Sequence, residues 1–237
     1  MPSVEALLQS LRHGLIVSCQ PDANEPATDP LNRPEIMAAL AQAAALGGAV
    51  GIRADGPAHI AAIRAAVQLP IIGIYKRDLP GVPVRITPAV ELALEVARAG
   101  ADLIAVDATA RPHPGGLSAA DLIRQVAAAP GKPVLADCST LEEGIAAEAA
   151  GAAAVLTTLS GYTASSPQQE EPDFALIQQL VRAVRVPVIA EGRIDTPEQA
   201  ARALACGAWA VTVGSAITRP RAITERFVRA LRPGACP

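Results

Sequence analysis

Two short phrases alternate along this chain, and their alternation limits the fold more than any other feature. One closes a helix, turns on Gly-Ala and continues as an apolar run: "LGGAVGIRADG", "AGADLIAVDAT", "AGAAAVLTTLSG" and "CGAWAVTVGSA". The other is an apolar run led by proline: "LPIIGIYKRD", "KPVLADCST" and "VPVIAEGRI". Glycine ahead of the first kind suits a left-handed helix cap, and proline at the head of the second needs no ladder donor there. Segments such as "PAHIAAIRAAV", "PAVELALEVARA", "SAADLIRQVAAA", "TLEEGIAAEAA", "FALIQQLVRAV" and "TPEQAARALAC" fill the gaps. Several open with Ser, Thr or Asp at a cap position, or with proline in the first turn, as helices do. With "GLIVSCQ" at the start, eight strands alternate with helices at roughly 25–30 residues per unit, the size of a (β/α)8 barrel.

The strand runs are apolar almost throughout, as strands covered on both faces must be. The rival architecture, an open doubly wound sheet, would carry a Gly-rich dinucleotide turn after its first strand, and "SCQPDAN" is not one. The expectation is an α/β chain folded as a (β/α)8 TIM barrel. A single domain spans residues 1–231, and the ending "RPGACP" (232–237) is a disordered tail.

Composition narrows the partners. The 237 residues carry a formal net charge of -3 and are 51% hydrophobic but only 2% aromatic, so the core is built from Ala, Val, Leu and Ile. Near-neutral charge without a basic block, and few stacking platforms, argue against nucleic acid. Cys19, Cys138, Cys206 and Cys236 show no paired short spacing and read as reduced thiols of a cytoplasmic protein. His13, His59 and His113 lie apart from one another and from cysteine, so no metal site is expected. Val4, Leu7, Leu8 and Leu11 recur at helical spacing where a leader would need an uninterrupted apolar stretch. The longest apolar region, "IMAALAQAAALGGAVGI", is interrupted by Gln42 and a Gly-Gly pair and makes a poor membrane span.

Function is expected where the strands leave the core, because in such a barrel all the carboxyl ends face one pocket. The exits carry Gln20, Arg53, Lys76, Asp107, Asp137, the polar stretch "TTLSGYT", Glu191 and "GSAITRP", whereas the amino ends carry mainly Pro, Gly and Ala. Each residue also has a structural reading. Arg77 and Asp78 would pair or face solvent, Asp107 would orient a ligand or pair with Arg111, and Cys19 and Cys138 would be small core residues. The last two exits, "AEGRI" and "VGSAITRP", occupy the loops where barrels frequently bind phosphate through glycine amides and a short helix. Gly192, Arg193, Gly214 and Ser215 would supply close backbone approach and donors, and Arg219 a charged clamp.

The motifs "GLIVSCQ", "GAVGIRADGP", "PIIGIYKRD", "ITPAVELA", "AVDATARPHP", "ADCSTLEEG", "TTLSGYTASSPQQEEPDF", "PVIAEGRIDTPEQA" and "AVTVGSAITRP", in order from about Leu7 to Leu231, resemble the N-acetylmannosamine-6-phosphate 2-epimerase family. The resemblance implies a phosphate-binding barrel without metal or organic cofactor. It implies interconversion of N-acetylmannosamine 6-phosphate and N-acetylglucosamine 6-phosphate in sialic acid breakdown, and a homodimer. At matching positions Lys76 and Glu191 would be the catalytic pair. Gln20, Arg53 and Asp137 would hold the sugar, and Arg219 with Gly192 and Gly214–Ser215 the phosphate. Tyr75, Arg85 and "TASSPQQEEPDF" depart from the family pattern.

Epimerisation at C2 of an N-acetylhexosamine proceeds by removing a carbonyl-acidified proton and returning one to the other face. Lys76 serves as base only when neutral. From ~10.4, half-neutrality near pH 7.5 needs a fall of about 3, or roughly 4 kcal/mol of differential environment. Arg77, and Arg53 behind it, are the cations expected to help. Three alternatives stay open: an imine-forming barrel aldolase or lyase using Lys76, a non-catalytic sugar-phosphate sensor, and a metal-dependent epimerase.

Overall fold

The computed structural model describes residues 3–22, 28–129 and 131–232. The last five positions of the expected tail lie outside the described residues. A helix α1 (Val4–Ser10) precedes strand β1 (Leu15–Cys19). Then follow α2 (Pro34–Leu46), β2 (Gly51–Asp55), α3 (Pro57–Ala66), β3 (Ile71–Ile74), α4 (Val90–Arg98) and β4 (Leu103–Asp107). The second half runs through α5 (Ala119–Ala128), β5 (Val134–Asp137), α6 (Leu141–Ala149), β6 (Ala154–Leu156), α7 (Phe174–Ala183), β7 (Val188–Glu191), α8 (Pro197–Ala205) and β8 (Ala210–Val213). A short α9 (Ser215–Thr218) and α10 (Pro220–Ala230) close the chain. All neighbouring strands are parallel, and β8 pairs back onto β1. The chain is a closed (β/α)8 barrel, as the alternating phrases require.

The local signals act as read. Gly100 and Gly151, at the helix-to-strand turns, adopt φ of +108° and +98°, a region that side chains resist. Helices α6 and α8 open with capping boxes, Thr140 with Glu143 and Thr196 with Gln199.

Strand parity decides everything about the site, since alternate residues face opposite sides of a sheet. One parity looks outward to the helices: Val17, Cys19, Ile52, Ala54, Ile104, Val106, Ala136 and Cys138 share one buried cluster with helical residues such as Met37, Ile60 and Leu122. The other looks into the barrel, where Ile16, Ile72, Ile74, Leu103, Ala105, Leu135, Ala154, Leu156, Ile189 and Ala210 pack together. Leu8 and Leu11 join that inner cluster and stopper the amino end, tied down by a hydrogen bond from Trp209 Nε1 to the Leu8 carbonyl at 2.7 Å. Cys19 and Cys138 therefore face helices rather than the pocket, and burial pushes the Cys19 thiol up to about 12. The structural reading of both holds.

Candidate active site

The inward parity carried two residues past the apolar layer gives Ser18 after Ile16, Arg53 after Gly51, Lys76 after Ile74 and Asp107 after Ala105. It likewise gives Asp137 after Leu135, Glu191 after Ile189 and Thr212 after Ala210. A cavity of about 570 Å3 opens above that layer, lined by Ser18, Gln20, Arg53, Lys76, Asp107, Glu191, Gly192, Thr212, Gly214, Ser215 and Arg219 among others. Lys76 from β3 and Glu191 from β7 thus share one cavity.

Arg53 organises the floor. It is 1% exposed, and its Nη1 and Nη2 donate to both oxygens of Asp137 at 2.9 and 2.7 Å. Nη1 also donates to Glu191 Oε2 at 2.9 Å. One guanidinium from β2 thereby clasps carboxylates from β5 and β7, and the Thr158 hydroxyl adds a bond to Asp137 Oδ1. With both terminal nitrogens occupied, Arg53 acts on the carboxylates first. Asp137 is likewise bound on both oxygens. Thr157 fixes the Glu191 backbone in both directions: its hydroxyl donates to the Glu191 carbonyl at 2.8 Å and accepts from the Glu191 amide at 3.1 Å. The polar exit of β6 is thus a brace for β7.

Lys76 Nζ donates to Gln20 Oε1 at 2.7 Å, and Gln20 Nε2 donates onward to Ser18 Oγ at 2.8 Å. The Lys76 amide donates to Asp55 Oδ1 at 2.9 Å, fixing the backbone where the chain leaves β3. Burial holds the amine below its ordinary value; the Asp55 carboxylate opposes this, and the Arg53 and Arg219 guanidiniums reinforce it. Of the two cations expected to assist, Arg53 does so and Arg77 does not. Arg77 stacks 4.2 Å over the Tyr75 ring and donates to its hydroxyl, at the surface, while Asp78 pairs with Arg85. Arg219 takes the place assigned to Arg77 because the loop after β8 folds back over the pocket, its Nη2 donating to the Pro21 carbonyl at 3.2 Å. Burial also pushes the Glu191 carboxyl up to about 7, against the pull of Arg53.

Of the remaining exits, Asp107 is held by Arg111 at 2.7 Å and by the Thr109 hydroxyl at 2.6 Å, so the pairing reading describes it. Gly192 has φ of +111°, and Gly214 caps α9 where a Cβ would stand 3.3 Å from Ser18 Cβ. The Arg193 guanidinium donates to the Glu171 carbonyl at 3.0 Å and to the Ser160 carbonyl, while the residue lines the cavity. Ser18, Asp55 and Thr212 were not among the expected site residues. Ser18 and Thr212 stand two places before Gln20 and Gly214 on inward parity, a signal present in the strands but masked by their small size.

An amine and a carboxylate share one cavity at the mouth of a (β/α)8 barrel, the place where enzymes of this fold carry their chemistry. The family model described as "Putative N-acetylmannosamine-6-phosphate epimerase" (NanE) matches residues 37–233, and the chain belongs to that family. Relatives described as "Putative N-acetylmannosamine-6-phosphate 2-epimerase" include one from Caldanaerobacter subterraneus subsp. tengcongensis, 51% identical over 94% of this chain and 92% of the relative. Another, from Klebsiella pneumoniae subsp. pneumoniae, is 49% identical over 100% and 98%. The solved N-acetylmannosamine-6-phosphate 2-epimerase from Clostridium perfringens superposes with a TM-score of 0.90 at 44% identity, covering 95% of this chain and 96% of that one. At 19% identity and a TM-score of 0.58, a thiamine phosphate pyrophosphorylase from Pyrococcus furiosus shares the fold alone.

Proposed function

We infer that this chain interconverts N-acetylmannosamine 6-phosphate and N-acetylglucosamine 6-phosphate, in the breakdown of sialic acid and related amino sugars. The observation that carries the reading is the placement of Lys76 and Glu191 on opposite walls of one cavity, with the two glycine-bearing loops and Arg219 beside them. In the open-chain sugar the C2–H bond is acidified by the C1 carbonyl. Neutral Lys76 takes the proton, the electron pair passes to the C1 oxygen, and a proton returns to the opposite face of planar C2 with Glu191 as the partner acid. The roles reverse for the reverse reaction. Gln20 orients the amine and contacts the sugar, and Asp137, buried beneath the cavity, acts on the site through Arg53. The phosphate sits against the amides of Gly192, Arg193, Gly214 and Ser215 and the Arg219 side chain. No step calls for a metal or organic cofactor.

The enzyme works in the cytoplasm as a single barrel domain and as a homodimer. Support for the dimer comes from α10, which buries none of its residues and leaves Phe227 70% exposed, with Leu231 just beyond it 82% exposed. A second copy covers this face, and molar mass in solution tests it. The reaction is tested by NMR of the protein with N-acetylmannosamine 6-phosphate in D2O. Deuterium at C2 of both sugars is expected, and epimerisation with retention of the original hydrogen rules the mechanism out. Borohydride treatment with substrate leaves Lys76 unmodified if it transfers protons, and reduces an imine there if the chemistry is that of an aldolase.

A further inference from the structure

Thr212 stands opposite Glu191 in the register between β7 and β8, so the two side chains leave neighbouring strands on the same inward side. Both line the active-site cavity. Thr212 is 1% exposed, and its Oγ1 has no hydrogen-bond partner among the described residues. A buried hydroxyl in that condition costs stability, roughly the desolvation of one polar group, unless something closes the bond. Its neighbour has a matching vacancy. Arg53 engages Glu191 Oε2, while no described residue donates to Oε1. The hydroxyl is near enough to the carboxylate to draw its pKa down, though the bond itself stays open in this structure.

We propose that Thr212 is a positioning residue for Glu191: its hydroxyl closes onto the open carboxylate oxygen during turnover and fixes which way the carboxylate faces. With Arg53 on one oxygen alone, the carboxyl group can swing about that contact. A second donor from the adjacent strand removes the swing and aims the group at the reacting carbon. The inference rests on the acid–base role given to Glu191 above. Its signature is a hydroxyl that costs stability at rest and contributes to rate, a combination that a packing role does not produce.

The test compares Thr212→Val, which keeps the shape and deletes the hydroxyl, with Thr212→Ser, which keeps the hydroxyl. Glu191→Gln is measured alongside. Losing a hydrogen bond to a charged group predicts that Thr212→Val lowers kcat by about tenfold to a hundredfold. KM should stay within about threefold, and the melting temperature should be unchanged or raised. Removing a donor from the carboxylate favours its protonated form, so the limb of the kcat/KM profile that Glu191 sets should move to higher pH. Thr212→Ser should restore most of kcat and return the limb. Wild-type kcat with an unmoved limb in Thr212→Val overturns the proposal, as does a raised KM at unchanged kcat, which assigns the hydroxyl to the ligand instead. A lower melting temperature in Thr212→Val, with Thr212→Ser failing to restore kcat, makes Thr212 a packing residue and overturns it too. Should Glu191→Gln keep wild-type kcat, the acid–base reading falls and this inference falls with it. Loss of activity in Glu191→Gln beside an inert Thr212→Val removes this inference alone.

Discussion

The lower and upper halves of the barrel interior are made by the same strands with the same parity, yet they obey opposite rules. Below, Ile16, Ile72, Leu103, Leu135, Ile189 and Ala210 pack without a polar atom among their side chains. Two residues higher, Arg53, Asp137, Glu191 and Thr212 fill equivalent space with charges and a hydroxyl at the floor of the cavity, Arg53 and Asp137 buried and the Glu191 side chain 14% exposed. The lower half stabilises by apolar burial. The upper half holds charge where its desolvation is only partly repaid. What the difference teaches is that one step of two residues along a strand converts a core into a site, with no change of backbone.

Breaking the upper half at the proposed base gives the largest expected effect. Lys76→Ala should lower kcat by about 10²–10⁴-fold, the range of a lost general base. KM should change little, since Lys76 hydrogen-bonds Gln20 rather than a phosphate cradle. Steady-state kinetics with fresh N-acetylmannosamine 6-phosphate checks it, and turnover near wild type ends the base assignment.

Next is Arg53. Replacing it with Met leaves Asp137 and Glu191 facing each other without their shared cation. Breaking a buried pair from one side costs about 3–5 kcal/mol, measurable by denaturant titration, and turnover should fall as well because Glu191 loses its anchor. Leu103→Ala supplies the contrast from below: a stability loss of about 2–5 kcal/mol from the cavity it leaves, with kcat essentially kept. If Leu103→Ala proved as harmful to kcat as Arg53→Met, the two halves would not be separable in the way the packing suggests.

Much of this arrangement was legible in the residues. The alternating Gly-Ala and Pro-led phrases specify eight strands because each phrase is a local backbone requirement, met wherever the chain stands. Lys76, Asp137 and Glu191 are conspicuous because a charge ending an apolar run has few places to go. The network between them was not legible. That Arg53 reaches β5 and β7 at once depends on barrel closure, and no local pattern encodes it. The same holds for the cation beside Lys76: adjacency in sequence suggested Arg77, but Tyr75 draws Arg77 to the surface, and Arg219 arrives from the far end of the chain. Thr212 and Ser18 escaped notice because small polar residues inside apolar runs look like ordinary strand residues until the parity of the whole sheet is known.

Arg219 sharpens the comparison at the rim. Arg219→Ala should raise KM by roughly tenfold, the worth of one charged contact to an anion. It also removes a cation that helps keep the Lys76 amine uncharged. The amine should then lose its proton at higher pH, and the kcat/KM profile should shift upward. A raised KM with an unmoved profile would place the guanidinium on the ligand only.

The smallest effect concerns what the upper layer costs at rest. The Glu191 carboxyl is raised from an ordinary value of 4.5 to about 7, burial being the main cause. Below about pH 4.5 the folded and unfolded chains both hold this proton. Between that and about 7 the unfolded chain gives it up while the folded chain keeps it, so this group's contribution to stability is lost as pH rises through the window. Glu191→Gln removes the titration altogether. The difference in melting temperature, variant minus wild type, should therefore be more positive at pH 8 than at pH 5. A difference that is flat, or that falls with pH, would mean that Arg53 compensates the carboxylate fully in the folded barrel, and that the upper layer holds its charges at no cost the lower one avoids.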